Sequence, residues 1–150
     1  MPVRSELRSL YPADWPAISQ RIRFDVAGGR CQRCKRPHLA RVLCLPDGRW
    51  EDYDARCWYD GDGAVVTAPS ELEIDRQGHV TKVVLTCAHI EHDPARNGDD
   101  DLAAWCSRCH LLHDAPHHRA QRRLTYRLRM AIGDLFTGLY SLAGYPRNGM

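Results

Sequence analysis

The chain has no apolar run approaching the length of a membrane span. Residues 1–10 contain no hydrophobic stretch of the kind a secretory signal needs. Nor is there an excess of one charge, since 21 Lys and Arg stand against 19 Asp and Glu for a net +2. An even set of cysteines is missing too. Seven cannot all pair, and four of them fall in CxxC pairs, which favours metal binding in a reducing compartment over a disulfide framework. These absences make a soluble, cytoplasmic protein without a membrane partner the expectation. Cys44, Cys57 and Cys87 are then expected as free buried thiols, with a second metal site or a disulfide as the weaker reading. At 150 residues and 43% hydrophobic content the chain is one domain with appendages and a modest core, which a structural metal would support.

The small net charge conceals a pattern. Residues 1–43 carry nine Arg or Lys against three acids, and residues 106–150 carry seven Arg against two Asp. Residues 44–79 reverse this, with nine acids against three Arg, and residues 91–101 hold five acids against one. Two basic ends of this kind suit phosphate binding if folding brings them together. A solvated mixed surface is the competing reading.

Two CxxC pairs, Cys31-Gln32-Arg33-Cys34 and Cys106-Ser107-Arg108-Cys109, are the strongest local signal. A two-residue gap lets both thiolates of a turn face one ion, so Cys31, Cys34, Cys106 and Cys109 are expected to form a tetrahedral structural zinc site. The 71 residues between the pairs exceed a zinc finger's gap, so the metal must join remote segments.

Asp14, Trp15 and Pro16 read as the start of a helix that carries Trp15, Ile18, Ile22 and Val26 on one face and stops at Gly28-Gly29. Residues 14–43 thus form a helix and the first knuckle. Residues 44–79 hold turn signals and aromatic residues without a repeat, and are expected as an acidic insert of short, irregular β structure. Within residues 80–118, Val80 to Thr86 reads as one strand ending at Cys87-Ala88-His89. A loop, a short strand near Leu102–Trp105, and a helix starting within Cys106–His110 follow. Ala115-Pro116 is expected to end or kink that helix. A further helix over residues 119–142 places Leu124, Leu128, Ile132, Leu135 and Leu139 on one face, for core packing first and homodimerisation second. Residues 143–150 read as a frayed tail.

Strand, terminal His, loop, strand, and helix bearing His is a layout that resembles the HNH endonucleases, in particular their zinc-stapled members. The residues carrying the resemblance are Cys31, Cys34, Val84 to Ile90 with His89, Asp101-Leu102, and Cys106-Ser107-Arg108-Cys109-His110. They span about residues 14–118, less the insert. The resemblance implies an α+β fold with a small ββα-metal core, a Cys₄ zinc knuckle, an N-terminal helix, an irregular β insert and a long C-terminal helix. It also implies a bacterial or phage-type protein that hydrolyses DNA. Two positions depart from the family pattern. Ala88 stands where many members have an Asp or His ligand, and Asp101 stands at the middle Asn.

Phosphodiester hydrolysis needs a deprotonated water in line with phosphorus, and positive charge on the non-bridging and leaving oxygens. A His suits the base because its ordinary pKa lies near working pH. The resemblance assigns that role to His89. Expected ligands for a catalytic Mg²⁺ or Mn²⁺, with Zn²⁺ or Ni²⁺ as further options, are His110, Asp114 (four residues on, on one helical face) and Asp101. His92 and Glu91 are additional candidates. Arg108, Arg119, Arg122, Arg123 and Arg127 are expected on DNA phosphates through contacts that position without reading sequence. His113, His117 and His118 read as surface or phosphate-contacting groups. The competing function is a catalytically silent zinc module that binds nucleic acid or protein on the same scaffold.

Overall fold

The computed structural model describes residues 10–137, with side chains described through residue 131. Its architecture is α+β, with three α-helices and two antiparallel sheets among the described residues. Two compact units divide at Leu112/His113.

In the first unit, helix α1 (Trp15–Arg21) widens into a π-helical turn, Ile22–Val26. Asp14 occupies the N-cap position without a side-chain cap bond, and Pro16 sits in the first turn, where its missing N–H costs nothing. Gly28 and Gly29 stop the helix at φ +58° and +70°, a region open to glycine at little cost. The insert is more regular than its composition predicts. Strands β1 (Arg41–Cys44), β2 (Trp50–Asp52), β3 (Cys57–Tyr59), β4 (Val65–Val66) and β5 (His79–Lys82) form one sheet in the order β4-β3-β2-β1-β5. Helix α2 (Glu71–Gln77) interrupts it before β5. The start of that helix is marked locally. Ser70 caps it by accepting from the Glu73 amide at 3.3 Å, with Glu73 at the third helical position.

The run Val80 to Thr86 is two strands, not one. Residues through Lys82 belong to the five-stranded sheet, while β6 (Leu85–His89) pairs with β7 (Leu102–Cys106) in a separate hairpin. Val83 turns the chain between them: its N–H donates to Ala40 and its carbonyl accepts from Leu39. A β-branched run cannot reveal such a change of partner, because both strands have the same composition.

The core has two parts. One gathers Val42, Cys44, Trp50, Val83 and Leu85 around the four CxxC cysteines. Trp50 is fully buried and stacks on Tyr59 at 4.9 Å. The other packs Ile22 against Leu102 and Ala104, with Trp15, Ile18 and Cys87 beside them. Of the remaining thiols only Cys44 is buried; Cys57 and Cys87 are half-buried, and all are free.

Helix α3 (Ser107–Thr137) follows β7 directly and runs through Pro116 without a break. This corrects the expected interruption. A proline inside a helix removes one amide donor, here the one that would bond the Leu112 carbonyl, at a cost of about 3 kcal/mol that a long helix absorbs locally. The two units divide at that carbonyl. In the second unit Leu124 and Leu128 are 52% and 55% exposed, so they are not core residues. The side chains of Ile132 and Leu135, and all of Leu139 and the tail, lie outside the described residues.

Trp50→Ala should lower unfolding free energy by about 3–5 kcal/mol, the usual cost of emptying a buried aromatic site. Urea unfolding of the metal-loaded protein measures it. A loss below about 1 kcal/mol would mean that Trp50 does not anchor the sheet.

Candidate metal centre

The first knuckle is a tight turn. The Cys31 amide donates to the Arg36 carbonyl and Lys35 N–H returns to the Cys31 carbonyl, each at 2.9 Å, with Lys35 at φ +64°. It docks on β7 through Gln32, whose amide donates to the Ala104 carbonyl while its side-chain oxygen accepts from the Ala104 amide. The second pair arises where β7 becomes α3, and the Ser107 amide is held by the Val84 carbonyl at 3.2 Å. Cys31, Cys34, Cys106 and Cys109 therefore converge, all buried, with their sulfurs within 4.8 Å of one another. Cys34 and Cys106 are the close pair at 3.5 Å, and the Cys106 amide donates to the Cys31 sulfur at 3.3 Å.

Four thiolates this close cannot ionise together unless a cation sits between them. The hydrogen bond from Cys109 holds Cys106 far below the ordinary thiol value, and the same bond pushes Cys109 far above it. Four sulfur donors without a carboxylate are compatible with a structural zinc. Cys87, pushed up to about 11 by burial, and Cys44, raised by the same cause, lie outside this set.

His89 closes β6, opposite Leu102. Its Nε2 lies 3.0 Å from the Asn97 side-chain oxygen. The amide nitrogen of Asn97 donates to the Pro94 carbonyl at 3.0 Å, which fixes which end of the amide faces the ring. Nε2 must then carry the proton, and Nδ1 is left to accept one. Trp15 stacks on the ring at 5.1 Å with planes 10° apart, and Tyr11 meets its edge at 5.6 Å. No local sequence pattern marks Asn97 as the residue that orients His89. Trp15 was read only as a helix residue.

Alternation along β6 turns Cys87 and His89 toward α1, and Thr86 and Ala88 to the other face of the hairpin. His110 lies on that other side. The Thr86 hydroxyl donates to the Trp105 carbonyl at 3.2 Å and meets His110 Nδ1 at 3.0 Å, so Nδ1–H is the donor and the ring's lone pair falls on Nε2. Ala88, opposite Ala103, is buried. Asp101 ends a 3₁₀ turn, Asp99–Asp101, and its carboxylate takes Arg96 at 2.5 Å and the Gly98 amide at 3.2 Å. His92 sits in the turn after β6 at φ +57° and Glu91 is exposed beside it. Among the described residues of the first unit, the four cysteines are the one set of three or more ligand atoms this close together. In the second unit Asp114 pairs with His118 at 3.7 Å.

Of the expected phosphate contacts, Arg108 folds over the turn at Gly48 and reaches the Asp47 carbonyl at 3.4 Å. Arg119, Arg122, Arg123 and Arg127 are exposed on α3, spaced so that they share one side of the helix. No described helix is long and apolar enough to cross a membrane.

The purified protein should carry one zinc per chain, and Cys106→Ser should drop it well below that. A structural zinc is worth about 10–16 kcal/mol at pH 7, so the variant should also lose cooperative unfolding. Because the ligands bind as thiolates, zinc release should increase as pH falls. Metal analysis with a chromogenic chelator checks both, and full zinc in the variant would exclude Cys106 as a ligand.

No family model, curated protein or solved structure matches the chain.

Proposed function

We propose that the chain is a metal-dependent DNA endonuclease of HNH type, with the Cys₄ cluster as scaffold and His89 as general base. The observation that carries this reading is the fixed state of His89. Asn97 Oδ1 accepts a hydrogen bond from Nε2–H, Trp15 holds the ring plane, and Nδ1 is left as the accepting atom at the end of a hairpin that leads into a helix.

In the reaction, Nδ1 takes a proton from water as its oxygen bonds to phosphorus. The P–O3′ bond breaks and the 3′ oxygen leaves to be protonated, giving a 5′-phosphate and a 3′-hydroxyl. A divalent ion such as Mg²⁺ or Mn²⁺ at His110 would supply positive charge to the phosphate oxygens. The Thr86 hydroxyl supports this by directing the His110 lone pair to Nε2. Exposed arginines on α3 would meet the backbone and add affinity without base reading.

A second reading is favoured by specific residues. Buried Ala88 offers no ligand, and Asp101 is already engaged by Arg96. A zinc-stapled module that binds nucleic acid without cutting it is consistent with both.

Plasmid nicking across Mg²⁺, Mn²⁺, Zn²⁺ and Ni²⁺ separates the two. For the nuclease, His89→Ala should reduce the rate about 10²–10⁴-fold while gel-shift binding of DNA persists. Binding without nicking in any ion would select the silent module, and unimpaired cutting by the variant would falsify the role of His89.

Asn97 acts through His89 and is a positioning residue. Asn97→Asp places a carboxylate against Nε2–H and favours the imidazolium. The acidic limb of the pH–rate profile should therefore move to higher pH, since the base must be neutral to act. An unmoved limb would mean that Asn97 does not set the state of the ring.

A further inference from the structure

A cavity of about 350 Å³ opens between the five-stranded sheet and the start of α3, wholly within the first unit. Val84 and Cys106 place it at the Leu85/Cys106 end of the hairpin, whereas His89 lies at the other end, opposite Leu102. Four strand residues at about 3.3 Å each separate the ends, so the cavity and the His89 site are distinct.

Its charge is one-sided. Arg36, Lys82, Arg108 and His79 line it, and no Asp or Glu does. This is notable because one wall comes from the acidic insert. Four of the insert's nine carboxylates pair outside the lining: Asp52 with Arg30, Asp62 with Arg33, and Asp47 and Glu73 with Arg49, although Asp47 also lies near enough to Arg108 to feel its charge. Arg36 is 2% exposed. Its Nη2 donates to the Gly48 carbonyl at 3.0 Å and its Nη1 lies 3.7 Å from the Cys34 sulfur, but its Nε is buried without a partner. Among the described residues neither Arg36 nor Lys82 has a carboxylate within ion-pair distance. A zinc tetrathiolate would carry −2 beside the cavity, which the three full cations more than offset. Arg36 borders the cavity as a buried guanidinium, and no carboxylate lines the wall, so the fixed charge there favours an anion.

The rest of the lining is apolar, with Leu45, Pro46, Val83 and Val84. An inorganic anion has no use for such a wall. The volume lies within the range of small-ligand sites, about 300–1,000 Å³. We propose that this cavity binds a nucleotide by its phosphate, with Arg36 as the buried contact, Lys82 and Arg108 at the rim, and the nucleoside against the apolar wall. The nucleotide could be free or stand at the 5′ end of a strand, and neither case depends on the chain being a nuclease.

Calorimetry on the zinc-loaded full chain tests this with AMP, adenosine, and a short oligonucleotide with or without a 5′-phosphate. AMP or the 5′-phosphorylated strand should bind, while adenosine and the unphosphorylated strand should not saturate. Binding of AMP identifies a free-nucleotide site; binding of the phosphorylated strand alone identifies a strand-end site. Lys82→Glu should weaken binding about tenfold or more, a shift of about 1.4 kcal/mol, and Lys82→Glu with Arg108→Glu should abolish it. Both residues are off the core, so zinc content and circular dichroism should be unchanged and report that the fold persists. No binding of either phosphorylated probe at about 10 mM, or equal affinity in Lys82→Glu, would overturn the proposal. Loss of nicking in His89→Ala with AMP binding intact would keep the two sites separate.

Discussion

Convergence of four sulfurs is the constraint on which the rest of the first unit depends. The knuckle has no regular structure of its own, and β7 is only five residues long. Neither is stable alone, since a two-stranded hairpin is marginal in water. Joining them at one point lets the Cys106 amide bond the Cys31 sulfur, seats Gln32 on Ala104 and fixes the residue at which α3 begins. Metal affinity is in this sense folding energy. His89 benefits from a distance, because the hairpin that carries it is held at its far end.

Charge blocks in the sequence do not become charged faces. Arginines of the knuckle, Arg30 and Arg33, meet acids of the insert, and Arg49 is held between Asp47 and Glu73. Asp52 is buried, but the exposed pairs such as Arg33–Asp62 contribute about 0–1 kcal/mol each, so their effect is on field more than on stability. They remove negative potential that would otherwise oppose an anion. The acidic insert therefore acts as a counter-charge for its own neighbours, which leaves Arg36 and Lys82 without acidic partners among the described residues.

Much of this was legible in the sequence, and the limits have physical causes. The CxxC spacing identified all four converging cysteines, because the geometry of a metal-binding turn is local. The start and stop of the first helix, the hairpin strand ending at His89 and the helix after Cys106 followed from periodicity and turn residues. The switch of partner at Val83 did not, since it changes hydrogen bonding without changing composition. Helix α2 was readable in principle from Ser70 and Glu73, but lay hidden in a segment dominated by turn signals. Pro116 misled because a helix already nucleated on both sides tolerates a missing donor. Asn97 and Arg36 were invisible for a different reason: each owes its role to contacts, with His89 and with a cavity, that no sequence spacing encodes. The contacts of the Asp101 carboxylate with Arg96 and Gly98 had no sequence signal either.

The pairing of Arg41 with Lys82 changes how the long interval between the cysteine pairs should be counted. The insert leaves and rejoins the chain at neighbouring points, so once its sheet has formed the interval behaves like one of roughly 30 residues when the metal closes it. Its strands pair mostly with their sequence neighbours and can form early. The insert is thus a detour in sequence that costs little in space. Its length can vary at turns away from the knuckle, but the Gly48 turn holds Arg36 beside the Cys34 sulfur and Gly63 abuts Cys34, and a shift of one residue in the Arg41–Lys82 register would displace both walls of the cavity at once.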